Sequence, residues 1–309
     1  MNAIGVVLVT YNRVAKLQKS LECYDKQTYL PTFVIVVDNA STDGTGEYLR
    51  EWMQTKTQYK KYVITCEENI GGSGGFHEGL KKAEELSSAD WIWVADDDAY
   101  TEKEAFSNLN KYLNNCTKQE ISAVCGKVTE HGELSRAHRK NIYCKRFRIV
   151  EDRLNDNNYE TPFEINAFSY VGTAISLEKL KKVGLPNKDY FIWYDDAEHA
   201  MRLSKVGKII CVPQICVEHD NQVVSQGEKS GIDWRVYYGI RNSYDFYIKY
   251  FPRYIVEIQY NFRALKSLAK AIVVRDFSVF NMYKHALSDA RKGKMGKSDI
   301  YYPGMKGKK

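Results

Sequence analysis

The first hundred residues alternate between short apolar runs and segments in which apolar residues recur at helical spacing. After the first run, Val14, Leu17 and Leu21 fall on one helical face. The runs are rich in β-branched residues, as is typical of strands buried on both faces. They are GVVLVTY (5–11), FVIVVD (33–38), YVITC (62–66) and WIWVA (91–95). Four strands, each followed by a helical pattern, predict βαβ units and a parallel sheet.

The remainder of the chain is less regular. Residues 131–163 are polar and are predicted to form a long surface excursion. Further strands are predicted at 123–128, 163–176 and 209–219. A helix is predicted within 190–206, and helical stretches are predicted around 234–250, 254–274 and 278–291. The Gly- and Lys-rich end is predicted to be disordered. These patterns predict an α/β fold with a mostly parallel central sheet flanked by helices, and a helical C-terminal region.

Charge separates the same two regions. The chain of 309 residues carries a net charge of +6, yet residues 235–309 alone contain 16 Lys and Arg against 5 Asp and Glu. We therefore expect one domain over 1–232, with halves of about 1–128 and 129–232, followed by a basic helical region over 233–309. A strongly basic end suits an anionic surface. No nucleic-acid-binding motif accompanies it, so nucleic acid is not the expected partner.

Cysteine usage and hydropathy indicate the compartment. Seven cysteines without a Cys-x-x-Cys pair predict neither a disulfide framework nor a zinc knuckle, and a reducing cytoplasm is the simplest setting. No stretch of 18 apolar residues predicts a transmembrane helix. The N-terminal apolar run is interpreted as a strand, because it lacks the basic start and the cleavage site of a signal peptide.

Three consecutive carboxylates, Asp96, Asp97 and Asp98, follow the fourth strand. Ligands of open α/β sheets bind beyond the carboxyl ends of the strands. Adjacent carboxylates repel one another, and a hard divalent cation relieves that repulsion while bridging to phosphate oxygens. The alternative is a solvated acidic turn that caps a helix starting near Thr101.

Two polar loops follow neighbouring strands. Asp38 ends the second strand and could accept hydrogen bonds from a nucleobase or a ribose, while one of Ser41, Thr42 and Asp43 is expected to cap the next helix. Residues 69–75 contain four glycines within five positions, which lets a backbone approach a ligand closely. This loop lacks the lysine of a Walker motif and does not follow the first strand as a Rossmann fingerprint would. A flexible turn is the alternative.

Two further candidates lie in the second half of the chain. Asp195 and Asp196 follow Trp193 and Tyr194, so that one carboxylate could act as a general base beside aromatic surfaces for a sugar. Capping of a helix is the alternative. His219 ends a β-branched run, and a lone histidine is more often structural than a ligand. A position next to the acidic triplet would reverse that expectation.

Together these pieces resemble the family 2 glycosyltransferases, which have the Rossmann-like GT-A fold. The resemblance runs from Val6 to about Asn242. It is carried by VVLVTYNR, VDNASTDGT, the Asn-x-Gly-Gly loop, the three aspartates, YDDAE followed by Arg202, His219, and YYGIRN (237–242). The resemblance implies an inverting transfer of a sugar from a nucleotide-sugar donor, with Mn²⁺ or Mg²⁺ as cofactor.

The resemblance also assigns roles to individual residues. Asp196 would be the catalytic base, and the metal would be held by Asp96, Asp98 and His219. The nucleotide would be bound by Thr10, Tyr11, Arg13, Asp38, Asn69 and Asp97. The sugar or the acceptor would contact Gly72, Gly74, Trp193, Asp195 and His199. Residues 1–128 would then be the nucleotide-binding half of the catalytic domain, and 129–232 the half that carries the acceptor site and the base.

The donor follows from a narrower resemblance. Asn-x-Gly-Gly-x-Gly-Gly-Phe, Ala-Asp-Trp-x-Trp-x-Ala-Asp-Asp-Asp and the Trp-x-Asp-Asp-Ala-Glu segment look like the bacterial galactofuranosyltransferases, which use UDP-galactofuranose. One departure is Tyr194, inserted where that pattern has Trp directly before the aspartate pair. A rhamnosyltransferase using dTDP-rhamnose is the alternative, and a non-catalytic nucleotide-sugar-binding subunit is the alternative of another class.

We expect the acceptor to be a lipid-linked precursor of a cell-surface glycan. The basic region is expected to dock on the inner face of the cytoplasmic membrane, where such an acceptor would lie. Aromatic residues accompany the charge, as at membrane interfaces. They are Tyr237, Tyr238, Tyr244, Phe246, Tyr247, Tyr250, Phe251, Tyr254, Tyr260 and Phe262. The alternative is that these aromatics pack in a core or in a subunit interface of a homo-oligomer.

Overall fold

The structure, a computed structural model of the chain, describes residues 1–221 and 233–304. It divides into two compact units. Unit 1 comprises Met1–Asn141, Asp152–Lys188 and Asp196–Asn221. Unit 2 comprises Ile142–Glu151, Asp189–Asp195 and the described residues of the C-terminal region. Two short segments from the middle of the chain thus belong with the C-terminal helices, and the expected division at residue 232 remains a prediction.

Unit 1 is built on a mixed sheet. In chain order, the strands of the described residues are β1 Ile4–Thr10, β2 Phe33–Asp38, β3 Lys60–Thr65, β4 Trp91–Asp96, β5 Ala99–Thr101, β6 Ile121–Glu130, β7 Glu133–Leu134, β8 Arg139–Lys145, β9 Arg148–Arg153, β10 Phe163–Ile165, β11 Ala167–Phe168, β12 Thr173–Ser176 and β13 Lys208–His219. The central sheet has the order β10-β13-β6-β12-β4-β1-β2-β3, with β5 paired to β13 and β7 to β6. The four predicted strands β1–β4 are parallel, whereas β12 runs antiparallel between β4 and β6.

Helices flank the sheet and form the C-terminal region. They are α1 Val14–Asp25, α2 Thr45–Gln54, α3 Gly71–Leu86, α4 Ala105–Asn114, α5 Leu177–Val183, α6 Asp195–Leu203, α7 Arg235–Tyr250, α8 Arg253–Val274 and α9 Ser278–Arg291. Every residue of β1 and β2 is buried, which confirms that these runs are covered on both faces. The helix predicted within 190–206 begins at Asp195, at the aspartate pair. The preceding Phe191, Trp193 and Tyr194 have positive φ angles that a right-handed helix excludes.

The predicted surface excursion over 131–163 is wrong in part. It contains β7, β8, β9 and the fully buried Arg139, whose guanidinium donates to backbone carbonyl groups. The acceptors, at 2.6–3.3 Å, belong to Gly126, His138, Ser169, Val171 and Gly172. A guanidinium offers five N–H donors, so one side chain satisfies the carbonyl groups of three chain segments. Composition alone cannot distinguish such an arginine from a solvated one.

The glycine-rich segment is a loop only at its beginning. Helix α3 starts at Gly71, so the predicted loop over 69–75 is wrong for most of its length. A β-carbon at Gly75 would lie 2.5 Å from Cγ1 of Val9, and one at Gly79 would lie 2.4 Å from Cγ1 of Val7. These two glycines let α3 approach β1 more closely than any side chain would allow. Helix propensity disfavours glycine, and the tertiary contact overrides it.

Unit 2 is a helical unit with an aromatic core. The ring of Phe191 stacks on Tyr238 at 5.0 Å, and the ring of Tyr237 stacks on Tyr301 at 4.6 Å. Because Tyr301 is buried, the predicted disorder of the Gly- and Lys-rich end does not hold there; residues 305–309 lie outside the described residues. Among the described residues, no helix is both long enough and apolar enough to cross a bilayer.

Most of the aromatic residues expected at a membrane surface are instead in this core. Six of the ten are buried, which supports the packing alternative for them: Tyr237, Tyr238, Tyr244, Phe246, Tyr247 and Tyr260. Tyr254 and Phe262 are more than half exposed. The sequence identified an aromatic-rich basic region correctly, but it could not separate the inward-facing rings from the outward-facing ones.

Candidate functional site

The carboxyl ends of β1, β2 and β4 bring three predicted residues to one edge of the sheet. Thr10 pairs with Asp38 across β1 and β2, and Val9 pairs with Asp96 across β1 and β4. Asp38 is buried and its Oδ1 accepts a hydrogen bond from the backbone N–H of Ser41 at 3.0 Å. This is the edge at which ligands of open α/β sheets bind.

The acidic triplet is not a solvated turn. Asp97 and Asp98 are 3% and 5% exposed, and α4 begins at Ala105, beyond β5. Thr10 donates from Oγ1 to Oδ2 of Asp97 at 2.7 Å. Arg13 donates to Oδ1 of Asp97 at 3.3 Å and to Oδ2 of Asp98 at 2.7 Å. The predicted nucleotide residues Thr10 and Arg13 therefore contact the triplet directly.

His219 lies beside the same triplet. It ends β13 and pairs with Ala99 of β5, the residue that follows Asp98. Its Nε2 is 3.4 Å from Oδ1 of Asp98, and its Nδ1 is 3.0 Å from Oε1 of Glu130. His219 therefore lies next to the acidic triplet, which is the position in which we expect it to be a metal ligand. Although burial alone would lower it, hydrogen bonds with Asp98 and Glu130 raise the pKa of His219 to about 9.

Glu130 and His138 extend this arrangement and were missed from the sequence. Oε1 of Glu130 also lies 3.0 Å from Nε2 of His138, whose Nδ1 lies 2.7 Å from Oγ of Ser169. Glu130, His138 and His219 could themselves hold a metal ion. In the observed contacts, Glu130 engages one ring nitrogen of His219 while the other faces Asp98, which is how outer carboxylates orient histidine ligands. The one available signal was the position of Glu130 two residues beyond a predicted strand.

Electrostatics in this cluster favour a cation. Burial raises the pKa of Asp97 to about 6. Burial, reinforced by the neighbouring Asp98, also raises the pKa of Asp96. Lys16, one turn after Arg13, places Nζ 3.5 Å from Oδ2 of Asp98 and is a second cationic residue that the sequence reasoning missed. Carboxylates and an imidazole are suitable ligands for Mn²⁺, and carboxylates for Mg²⁺, so the side chains present fit a divalent metal.

The loops after β2 and β3 are joined by two asparagines. Asn39 donates to Oδ1 of the predicted nucleotide residue Asn69 at 3.2 Å and accepts from the backbone N–H of Ile70 at 2.9 Å. Asp43 accepts from the backbone N–H of Thr45 at 3.2 Å and from that of Val14 at 3.0 Å. Asp43 thus binds the first residues of both α2 and α1, a wider role than the predicted cap of one helix.

The glycines assigned to the sugar differ in their surroundings. A β-carbon at Gly74 would lie 2.8 Å from Cγ1 of Ile70, so this glycine serves internal packing. At Gly72 nothing lies within 4 Å of that position. Tyr11, assigned to the nucleotide, is 36% exposed.

The segment that contains the candidate base starts helix α6. Asp196 is half-buried, and its Oδ1 accepts from the backbone N–H of Ala197 at 2.6 Å. Glu198 forms an ion pair with Arg202 at 2.9 Å. His199 is fully buried, with Nδ1 2.8 Å from the hydroxyl of Tyr170. The structure does not support the predicted sugar contact of His199, because its ring is enclosed in the core.

In unit 2, two other assigned residues differ in exposure. Trp193 is 42% exposed, whereas Asp195 is buried. Arg235 lies over the Trp193 ring at 5.9 Å.

Comparisons with known proteins identify the family of the chain. The sequence profile of "Glycosyl transferase family 2" matches residues 5–173. The galactofuranosyltransferase GlfT1 of Mycobacterium tuberculosis is 30% identical over 207 residues, which are 66% of this chain and 66% of that protein. The match therefore spans just under two thirds of that relative. The O-antigen chain rhamnosyltransferase WbaN of Salmonella anatum is 24% identical over 234 residues, 74% of this chain and 69% of that protein.

The fold is shared with solved glycosyltransferases. The crystal structure of GalNAc-T7 with UDP, GalNAc and Mn²⁺ superposes with a TM-score of 0.65 at 14% identity, covering 94% of this chain and 56% of that one. Such identity shows the fold alone, and it confirms the predicted GT-A architecture. The family profile covers more than half of the chain, and the chain belongs to glycosyl transferase family 2.

Proposed function

We propose that this enzyme transfers galactofuranose from UDP-galactofuranose onto a precursor of a cell-surface glycan, with inversion at the anomeric carbon. The observation that carries the reaction class is the buried cluster in which Thr10, Arg13 and His219 contact Asp97 and Asp98. The donor is supported by the glycine-rich and tryptophan-containing motifs and by the 30% identity to GlfT1. Transfer of rhamnose from dTDP-rhamnose is the second candidate, supported by the match to WbaN.

The cofactor is a divalent cation, Mn²⁺ or Mg²⁺, held by Asp96, Asp98 and His219. The fold relative GalNAc-T7 was crystallised with UDP and Mn²⁺. When bound, the cation would neutralise charge on the donor diphosphate. Glu130 would bind Nδ1 of His219 and so keep Nε2 of His219 turned toward Asp98.

Different residues of the chain bind the donor, hold the acidic triplet and accept the proton. In this proposal Asp38, Asn69 and Tyr11 bind the nucleoside, and Thr10 and Arg13 hold the carboxylates of the triplet in place. Asp196 takes the proton from an acceptor hydroxyl while that oxygen forms a bond to the anomeric carbon. The bond from the anomeric carbon to the diphosphate oxygen breaks on the opposite face, and UDP leaves with the bonding electrons.

We also propose that the enzyme docks on the inner face of the cytoplasmic membrane, where it would meet a lipid-linked acceptor. Support comes from α8, which is apolar on two opposite faces. Val256, Tyr260 and Ala271 are buried, whereas Ile258, Phe262 and Leu265 are 56–63% exposed. The exposed stripe continues through Tyr254 and Ile272.

Cationic side chains lie beside this outward stripe. Arg263, Lys266 and Lys270 are exposed on the same helix, and Lys266 lies over the ring of Phe262 at 4.7 Å. The single acidic residue of α8, Glu257, is paired with Arg291. An apolar stripe edged by cations is the pattern of a helix lying in the plane of an anionic membrane.

The donor is tested by a panel of UDP-galactofuranose, UDP-galactopyranose, UDP-glucose and dTDP-rhamnose, with nucleotide release as the measurement. We expect UDP-galactofuranose to be preferred by at least roughly tenfold in kcat/KM, which corresponds to about 1.4 kcal/mol of transition-state binding. Preference for dTDP-rhamnose would establish the second candidate. Metal-dependent UDP binding with neither transfer nor hydrolysis of any donor would identify a binding subunit instead.

The base is tested by the substitution Asp196→Asn, with Asp195→Asn as the matched neighbour. We expect kcat to fall by roughly a hundredfold or more, as for loss of a general base, while the Kd for UDP stays unchanged. If Asp196→Asn kept near-normal turnover while Asp195→Asn lost it, Asp195 would be the general base instead of Asp196.

The metal site is tested by calorimetry of Mn²⁺-dependent UDP binding. We expect Asp98→Ala and His219→Ala each to abolish it, and Glu130→Gln to weaken Mn²⁺ affinity roughly tenfold to a hundredfold through the orientation of His219. Glu51→Ala, which removes an exposed carboxylate of α2, is the control and should behave as wild type. Undiminished affinity in Asp98→Ala contradicts the assignment.

Membrane docking is tested by co-sedimentation with anionic and neutral vesicles. The full chain should pellet with anionic vesicles at low salt and dissociate as salt rises. The double substitution Phe262→Ser and Leu265→Ser should weaken binding at least tenfold, because each buried ring or aliphatic side chain contributes roughly 1.5–3 kcal/mol.

Met53→Ser, at an exposed apolar position of unit 1, is the control for general stickiness. Thermal unfolding should be unchanged in the double variant, since both side chains are exposed. Equal vesicle binding by the double variant would contradict the docking surface. A change in oligomeric mass would show that the stripe contacts a second copy of the chain.

A further inference from the structure

The four residues before the aspartate pair have an unusual backbone. Phe191, Trp193 and Tyr194 have φ angles of 66°, 66° and 69°, all in the left-handed region that favours glycine. Non-glycine residues hold this conformation only where the surrounding structure enforces it, and such segments concentrate at functional sites. The strained segment, residues 191–194, leads directly into Asp195 and Asp196 at the start of α6.

Two consecutive side chains of α7 hold this segment. The amide nitrogen of Asn242 lies within hydrogen-bond distance of the carbonyl oxygens of Tyr190 at 2.9 Å, Ile192 at 2.9 Å and Trp193 at 3.0 Å, so its two N–H groups are shared among three acceptors. Arg241 donates to the carbonyl oxygen of Tyr190 at 3.2 Å. These donors bind carbonyl groups of a segment that forms neither helix nor strand; the carbonyl oxygen of Tyr190 also accepts from the backbone N–H of Ile192 at 2.8 Å.

The asparagine is itself fixed in orientation. Nε of Arg241 donates to Oδ1 of Asn242 at 2.9 Å, which turns the amide nitrogen toward the strained segment. Both side chains are buried, at 1% and 0% exposure. A second guanidinium nitrogen of Arg241 donates to the carbonyl oxygen of Gly296 at 2.6 Å, which anchors the pair from the other side.

The same turn of α7 also fits the rings of the segment. Phe191 stacks on Tyr238, and a β-carbon at Gly239 would lie 2.9 Å from the ring of Trp193. Tyr238, Gly239, Arg241 and Asn242 thus contact both the backbone and the side chains of residues 190–193. These α7 residues belong to YYGIRN, a motif to which the resemblance assigns no role.

We propose that Asn242 is a positioning residue for Asp196: by holding the strained segment, it sets where α6 begins and therefore where the carboxylate of the base stands. This inference rests on the proposed function, in which Asp196 receives the acceptor proton. The residues assigned to the nucleotide and to the metal lie on other elements. Loss of Asn242 should therefore impair turnover without impairing the binding of UDP.

The test compares Asn242→Ala with Asn261→Ala, which removes an exposed asparagine of α8 bonded to Arg291 at 2.9 Å. We expect Asn242→Ala to lower kcat by roughly tenfold to a hundredfold, the loss typical of a displaced catalytic group, with an unchanged Kd for UDP. Asn261→Ala should keep wild-type kcat. Should Asn242→Ala fail to fold, Asn242→Asp keeps the size and the contact with Arg241 while losing the same three donor contacts, and it should show the same loss.

A double-mutant cycle separates positioning from general stability. If Asn242 acts through Asp196, adding Asn242→Ala to Asp196→Asn should lower the residual rate by no more than about twofold, because the two effects are not independent. An equal fold loss in both backgrounds, or an effect no larger than that of Asn261→Ala, overturns the proposal. High activity of Asp196→Asn alone would instead overturn the assignment of the base, and the two failures are therefore distinguishable.

Discussion

The burial of three consecutive carboxylates at the end of one strand is the constraint around which the candidate site of unit 1 is arranged. β4 ends at Asp96 and brings the three aspartates to a buried edge, where burial, reinforced by neighbouring negative charge, raises the pKa of Asp96 and Asp97. Cationic groups converge on them from separate parts of the chain: Arg13 and Lys16 from the start of α1, and His219 from the end of β13. The pairing of β5 with β13 thus extends the sheet and also brings His219 next to Asp98.

How much of this could be predicted depended on whether the signal was local. Continuous apolar runs in the sequence predict the strands β1–β4. Because ligands of open α/β sheets bind at the carboxyl ends of the strands, Thr10, Asp38 and Asp96 are then expected at one edge. His219 needed a pairing between strands more than a hundred residues apart, which no local pattern encodes. Arg139 and His138 were missed for a related reason, since polar residues in a polar stretch give no sign that they are buried.

Local backbone conformation was the other feature that the sequence did not predict. The sequence predicts a helix that starts near Asp195, but no local pattern predicts the positive φ angles of Phe191, Trp193 and Tyr194 before it. The glycines after Asn69 were predicted to form a loop because glycine has a weak helix propensity, yet they form the first turns of α3. Both errors lie where tertiary contacts from another element, α7 or β1, override the local preference.

The start of α3 contains two kinds of glycine, and they differ in how freely such an enzyme can diverge. Gly75 and Gly79 are held by contact with Val9 and Val7, so exchange at either position would force the helix away from the sheet. Gly72 has open space where a side chain would stand. Substitution at position 72 therefore reshapes the surface at the helix start while the architecture beneath it stays intact. A family that keeps one scaffold and changes its donor has, at this position, a route that costs no repacking.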